Sequence, residues 1–302
     1  MKILITGGSG FVGTRLSAFL LEKGHKIISV NSLISRRKNR IRHDNITHIQ
    51  ADTTCKGDWL DPVAEADAII NLGGKTVFKR WDKRYKKSIY DSRILTTQNL
   101  AGAMPTDRAI TFISASAVGF YGDRGEEPIT EVDPPGTDFL ARVTVDWEAA
   151  AHSAGGKVRV VTPRFGVILD RAGGAMARML PAFNLFMGGP LGNGTQWFPW
   201  IHMRDLVEGI RFILENPKVC GPVNFVSEQP VRNGQFAKTL GDILGRPSAL
   251  AVPGFMIRAM LGEFGETLLA SQRIIPEKLR QFGFTHHYPE VYGALSQIAQ
   301  KS

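Results

Sequence analysis

Gly7, Gly10 and Gly13, three residues apart in the run Thr6-Gly7-Gly8-Ser9-Gly10-Phe11-Val12-Gly13, have the clearest chemical use in this chain. They suit the phosphates of a dinucleotide. Gly7 allows a tight turn, Gly10 lets backbone approach a pyrophosphate, and Gly13 lets a helix pack closely on a strand. The helix that follows offers free N–H groups and the positive end of its dipole to the anion. Ser9, Phe11 and Val12 complete the turn and are expected to touch the cofactor with it.

The ribose end of the cofactor is read further on. A free 2′-hydroxyl usually meets an Asp or Glu about 20 residues beyond the glycines. Here the second apolar run ends Val30-Asn31-Ser32-Leu33 with no acid, and Arg36, Arg37 and Lys38 follow. A carboxylate would repel a 2′-phosphate, whereas Asn31, Ser32 and a guanidinium, Arg36 being the first of the cations, suit it. The pattern favours NADP(H) over NAD(H).

These residues need elements to hold them. Ile3-Leu4-Ile5 has the apolar run of a buried parallel strand, and Val12, Leu16, Phe19 and Leu20 repeat at helical spacing up to Gly24. Further strands are expected at 26–30, 45–51, 68–72, 109–113 and 158–161, with helices over 81–103 and 139–152. Strands alternating with helical patterns imply βαβ units, hence an α/β Rossmann fold with a doubly wound parallel sheet. Residues 1–169 form the expected cofactor domain, with 200–228 returning to it. Residues 170–199 and 229–302 form a smaller, mainly helical C-terminal lobe that caps the strand ends and completes a substrate cleft.

Composition narrows the class. With 43% hydrophobic and 22% charged residues the chain fills and covers a sizeable core. No apolar run approaches the ~18 residues of a membrane span, and the N-terminus enters a strand at once without a signal-peptide pattern. Cys55 and Cys220 stand far apart in no metal or redox spacing, so a soluble cytoplasmic protein without a metal is expected. The net charge of +9 is concentrated in residues 36–42 and in the run from Lys79 to Lys87. The first run has no aromatic residue. In the second, Trp81 and Tyr85 mark the buried face of an amphipathic helix, so no nucleic-acid surface is expected. A small molecule is the expected partner; oligomeric state is not readable.

The run Ile113-Ser114-Ala115-Ser116-Ala117-Val118-Gly119-Phe120-Tyr121-Gly122, with Pro128-Ile129-Thr130-Glu131 and Pro134-Pro135 after it, resembles the active-site serine segment of extended short-chain dehydrogenases. Ser92-Arg93-Ile94, Asp146-Trp147-Glu148, the stretch 164–169, Trp200-Ile201-His202 with Asp205, and the stretch 272–276 extend the likeness. Together they resemble an atypical branch, the nucleoside-diphosphate-sugar epimerase-like family that ends in a domain of unknown function. The resemblance implies a Rossmann core and NADP(H). It also implies cofactor contacts at Asn31, Ser32, Leu72, Gly73, Arg93, Ser114, Arg164, Phe165 and Val167, with Asp52 by the adenine.

One departure bears on catalysis. The extended family places a Tyr, and four residues later a Lys, about 25 residues after the serine. The Lys lowers the Tyr pKa so that the phenol exchanges a proton with substrate. Counting from Ser116 reaches Phe139 and Leu140, then Val143 and Thr144, with no phenol and no ammonium. The remaining candidates for orienting substrate and relaying a proton are Ser116, Tyr121 and His202. Two readings follow: an NADP(H)-dependent oxidoreductase or epimerase acting on a small carbonyl or sugar-nucleotide-like substrate, or an NADP(H)-binding redox sensor or scaffold with little turnover.

Overall fold

In the computed structural model, residues 1–32 and 41–300 are described. Arg36, expected at the ribose end of the cofactor, lies outside them. The first half runs β1 (Lys2–Thr6), α1 (Phe11–Glu22), β2 (Lys26–Asn31), β3 (Ile46–Gln50), β4 (Ala68–Asn71), α2 (Lys83–Ala103) and β5 (Ile110–Ser114). Then come β6 (Ser116–Ala117), β7 (Pro128–Ile129), α3 (Phe139–His152) and β8 (Val158–Phe165). The second half continues with β9 (Val167–Asp170), β10 (Gly173–Gly174), α4 (Met176–Asn184), β11 (Trp197–Phe198), β12 (Trp200–His202), α5 (Met203–Glu215) and β13 (Gly221–Phe225). It closes with β14 (Val231–Arg232), α6 (Asn233–Leu244), α7 (Gly254–Leu261), α8 (Glu263–Leu269), β15 (Arg273–Ile274), α9 (Glu277–Gln281) and α10 (Val291–Ala299).

The large sheet is ordered β13-β8-β5-β4-β1-β2-β3 and every pairing in it is parallel, with β6 added beside β8. Its inner strands β1, β4 and β5 read as near-continuous apolar runs because both faces are covered. Alternation sends Ile3, Ile5 and Ile70 into the core under α1 and α5, while Leu4, Ile69 and Phe112 enter the opposite core with Leu100 of α2. The chain order reverses at β1, whose neighbours are β2 and β4. A crevice therefore opens at their carboxyl ends, where ligands of such sheets bind.

The second half divides differently from the expected boundaries. Within 200–228, β13 joins the large sheet beside β8, and Leu206, Ile210 and Ile213 of α5 enter the core beneath it. β12 instead pairs with β9 in a separate three-stranded sheet, because Trp200 turns into the core of the lobe among Met176, Phe183 and Phe236. β15 pairs with β7, so the lobe is also tied to the loop after Tyr121. The helix expected from Trp81 starts at Lys83, capped by Asp82, whose carboxylate accepts from the Tyr85 N–H. Trp81 and Tyr85 are half-buried, each donating to a backbone oxygen of the preceding segment, at Val77 and Thr76.

Candidate functional site

The glycine turn has the geometry that a pyrophosphate requires. Gly7 has φ +70°, and a Cβ there would stand 2.9 Å from the Leu72 carbonyl oxygen of the strand end next door. A Cβ on Gly13 would stand 2.2 Å from the Gly7 oxygen, so α1 starts against the turn itself. Gly10 begins α1, and no side chain caps its first N–H groups. Those groups are left for an anion. Asn31 holds the turn from β2: its Oδ1 accepts from the Ser9 N–H at 2.6 Å, and its Nδ2 donates to the Ser29 oxygen. Asn31 is buried, so its side chain supports the turn and does not face a ribose. Ser32, next along, is exposed.

Asn71, at the end of β4, is a second support. Its Oδ1 accepts from Thr6 Oγ1 at 2.6 Å and from the Gly73 N–H; its Nδ2 donates to Thr97 Oγ1 and Ser114 Oγ. One fully buried amide thus joins β1, β5, α2 and the Gly73 turn. Ser114 is fully buried there, with its Oγ accepting from Asn71.

Beyond the crevice lies a cavity of about 340 Å³. Phe11, Arg93, Phe165 and Val167 line it, bringing four of the expected cofactor residues together. Facing them are Phe198, Pro199, Phe264 and Leu268 from the second half of the chain. Leu140, Val143 and Thr144 are also on the wall, where the Tyr and Lys of the extended family would be, while Phe139 turns away to pack edge-on against Trp81. Arg93 donates through Nη1 to the oxygens of Lys75 and Ile89, and its guanidinium stands 5.1 Å over Trp147. Burial pulls its pKa down to about 10, and it has no carboxylate partner among the described residues. The cavity is closed on the Phe11 side by the lobe. A Cβ on Gly173 would stand 2.3 Å from Cδ2 of that ring, so any side chain there requires the ring to move.

The three expected catalytic side chains are all engaged elsewhere. Ser116 Oγ donates to Glu148 Oε1 at 2.6 Å, and the same carboxylate grips Arg164. Tyr121 is wholly buried: its hydroxyl donates to Asn224 Oδ1 at 2.6 Å and accepts from Arg164 Nη1 at 2.8 Å. Burial pushes its pKa up to about 12, against the pull of Arg164, so it keeps its proton at neutral pH. His202 is the N-cap of α5, accepting from the Arg204 N–H through Nδ1, and its Nε2 meets Gln297 Oε1. Asp205, in the first turn of α5, accepts from the His287 and Tyr288 N–H groups. None of the three lines the cavity.

One expected cofactor residue is also placed differently. The Arg164 guanidinium is buried with Glu148 and Tyr121 and 3.5 Å over the Phe120 ring, so it has nothing to offer a ligand in the crevice. Asp52 lies past β3, where both the N–H and hydroxyl of Thr54 donate to its Oδ1 and hold its carboxyl below the usual range. Glu148 and Asn71 carry the site's buried polar framework, and neither was singled out as a site residue from sequence. Glu148 stood within a resembling motif, and Asn71 within the strand expected at 68–72.

The parallel order, the glycine turn beside the β1 crevice and the segment from Ser114 to Glu148 define a short-chain dehydrogenase-type dinucleotide-binding protein. The chain belongs to the NAD dependent epimerase/dehydratase family, whose model matches residues 3–224; a domain of unknown function, DUF1731, matches 252–298. It is 38% identical over 304 residues to an epimerase family protein, the chloroplastic SDR39U1 homolog of Arabidopsis thaliana, covering 99% of this chain and 87% of that one. The crystal structure of human epimerase family protein SDR39U1 (isoform 2) with NADPH superposes with a TM-score of 0.85 at 32% identity, covering 99% of both chains. A UDP-glucuronic acid 4-epimerase from Bacillus cereus, at 17% identity and a TM-score of 0.80 over 98% of this chain and 96% of that one, shares the fold.

Proposed function

We propose that this chain binds NADP(H) along the carboxyl ends of β1, β4, β5 and β8 and acts as an oxidoreductase on a small carbonyl compound, without a side-chain proton relay. The uncapped start of α1 and the turn without a Cβ at Gly7, Gly10 or Gly13 fit a pyrophosphate. The human relative solved with NADPH supports the same ligand. When bound, NADP(H) supplies or takes up a hydride. The chain's own residues hold it: the N–H groups from Phe11 to Gly13 face the phosphates, Ser32 and Arg36 are proposed at the 2′-phosphate, and Arg93 adds a positive charge. Phe11, Phe165, Phe198 and Phe264 keep water from the reacting end.

The observation that carries the missing relay is the wall formed by Leu140, Val143 and Thr144. Leu140 and Val143 carry no proton to move, and Thr144 Oγ1 already donates to the Leu140 and Ala141 oxygens. General acid–base help is typically worth about 10² to 10⁴ in rate, so turnover of a simple ketone is expected to be slow. The commitment of Ser116, Tyr121 and His202 favours a second reading, in which the chain holds NADP(H) as a redox sensor or scaffold with little turnover.

Fluorescence titration with NADPH and NADH, followed by the absorbance of bound NADPH against carbonyl compounds and sugar nucleotides, tests both. Tight NADPH binding with no oxidation by any compound sinks the oxidoreductase and leaves the sensor. Equal affinity for NADH sinks the cofactor preference. We place the protein in the cytosol, in keeping with two exposed, unpaired cysteines. Among the described residues no helix is long and apolar enough to cross a membrane.

A further inference from the structure

Sugar hydroxyls must be hydrogen-bonded wherever they are buried, and the wall of the inner cavity is mainly apolar, with few polar side chains to bond them. Thr144 and Thr267 donate to helix oxygens, at Leu140 and Ala141 and at Phe264. Gln196 gives its amide N–H to the Leu191 oxygen, and Gln272 gives its own to the oxygens of Val118 and Gly122. The indoles of Trp147 and Trp197 donate to Thr97 Oγ1 and Glu126 Oε2. Every one of these residues is on the cavity wall, and each already gives at least one donor bond within the chain. Arg93 has the most donors to spare, because only its Nη1 is engaged. Apart from Asp138, whose Oδ1 accepts from the Ala141 N–H at the start of α3, the rest of the wall is aliphatic, aromatic or glycine, including Val118, Leu140, Phe198, Phe264 and Leu268.

We infer that this cavity takes an apolar carbonyl compound, its oxygen directed to Arg93, and rejects sugars and sugar nucleotides. The inference rests on the oxidoreductase reading for the carbonyl and on the wall alone for the apolar class. A hexose pushed into the cavity sets most of its hydroxyls against apolar side chains, which costs affinity, while an apolar ring of similar size gains from burial. A family likeness to epimerases therefore does not extend to their kind of substrate.

The test is direct binding of 1-tetralone, a bicyclic apolar ketone, and of UDP-glucose, by titration calorimetry with and without saturating NADPH. The NADPH titration is run first, so that its failure sinks the cofactor reading separately. Expected are 1-tetralone binding that persists with NADPH present, a negative heat-capacity change from apolar burial, and no heat from UDP-glucose. Leu268→Asn puts an amide on the wall and is expected to weaken 1-tetralone by about tenfold. Arg93→Met should weaken it as well, whereas benzene, which has no oxygen to place, should bind that variant as before. The inference is overturned if UDP-glucose binds as tightly as the ketone, if NADPH displaces the ketone completely, or if Leu268→Asn changes nothing while thermal unfolding shows the variant folded.

Discussion

Glu148 holds Arg164 through both carboxylate oxygens, each at 2.8 Å, in a site where the two side chains are 10% and 4% exposed. The pair links α3 to β8, and Ser116, Tyr121 and, through Tyr121, Asn224 of β13 attach to it. Burial alone would lower the Arg164 pKa; the hydrogen bonds and charge of Glu148 and Tyr121 outweigh it and shift it upward. Two of the residues that sequence offered as catalytic, Ser116 and Tyr121, thus belong to the strut that ties α3 to the sheet at β8 and β13.

Glu148→Gln leaves the guanidinium buried beside a neutral amide, and removing one partner of a buried pair costs about 3–5 kcal/mol. Urea unfolding should show a loss of that size. Glu148→Leu combined with Arg164→Met removes both charges and should cost much less. A double variant as unstable as the single one would show that packing, not the pair, carries the stability.

Tyr121→Phe separates structural from chemical use of the phenol. Its hydroxyl makes two buried hydrogen bonds, and its loss leaves Asn224 Oδ1 and Arg164 Nη1 each short of a partner, a cost of about 1–3 kcal/mol. With the phenol pKa near 12, no proton leaves it in the neutral range. Whatever oxidation of NADPH the protein supports should keep the same pH profile in the variant. An alkaline limb present in the parent and missing in the variant would restore the relay.

The sheet and the glycine turn were legible because each depends on nearby residues: apolar runs for buried strands, glycines at fixed spacing for the turn. The polar commitments were not. Asn31 reads in sequence as the residue at the ribose, yet it bonds to Ser9, 22 positions earlier. Ser116 depends on Glu148, 32 residues away, and Tyr121 on Asn224, 103 away. A hydroxyl on a strand end looks the same in sequence whether it faces a ligand or a buried carboxylate. The absence of Tyr and Lys was legible, because it is a matter of counting, and the structure shows that Leu140 and Thr144 are the pair facing the cavity.

Gly173→Ala tests whether the lobe governs the cofactor turn. The added methyl would meet the Phe11 ring 2.3 Å away, and Phe11 opens α1 directly after the turn. The ring must swing into the cavity, and NADPH should bind about tenfold more weakly, or ~1.4 kcal/mol. An unchanged Kd would show that Phe11 moves without consequence for the ligand.

Acid sensitivity should come from two buried histidines. Burial lowers the pKa of His202 and of His286 below the ordinary 6.5, against the pull of Asp205 on both. A depressed base binds fewer protons folded than unfolded, so its neutral form favours folding above about pH 6.5. That contribution declines as pH falls below 6.5 toward the lowered folded values. Tm should drop between pH 7 and 5, and His202→Gln should flatten part of the decline. A slope identical in the variant would assign it to other groups.

Restoring the missing pair offers the most direct test of what the cavity lacks. Leu140 and Thr144 stand one helical turn apart on the wall, so Leu140→Tyr with Thr144→Lys places a phenol and an ammonium where the extended family has them. The ammonium favours the phenolate and lowers the Tyr pKa, which makes the phenol a proton donor of useful strength. Reduction of a saturated ketone by NADPH should rise by about 10² or more, with a new pH dependence set by the phenol. Leu140→Phe with Thr144→Lys controls for bulk and charge, and should show neither effect. If the Tyr and Lys variant binds NADPH, folds, and still reduces no ketone, then the rate is limited by substrate placement instead of by proton supply.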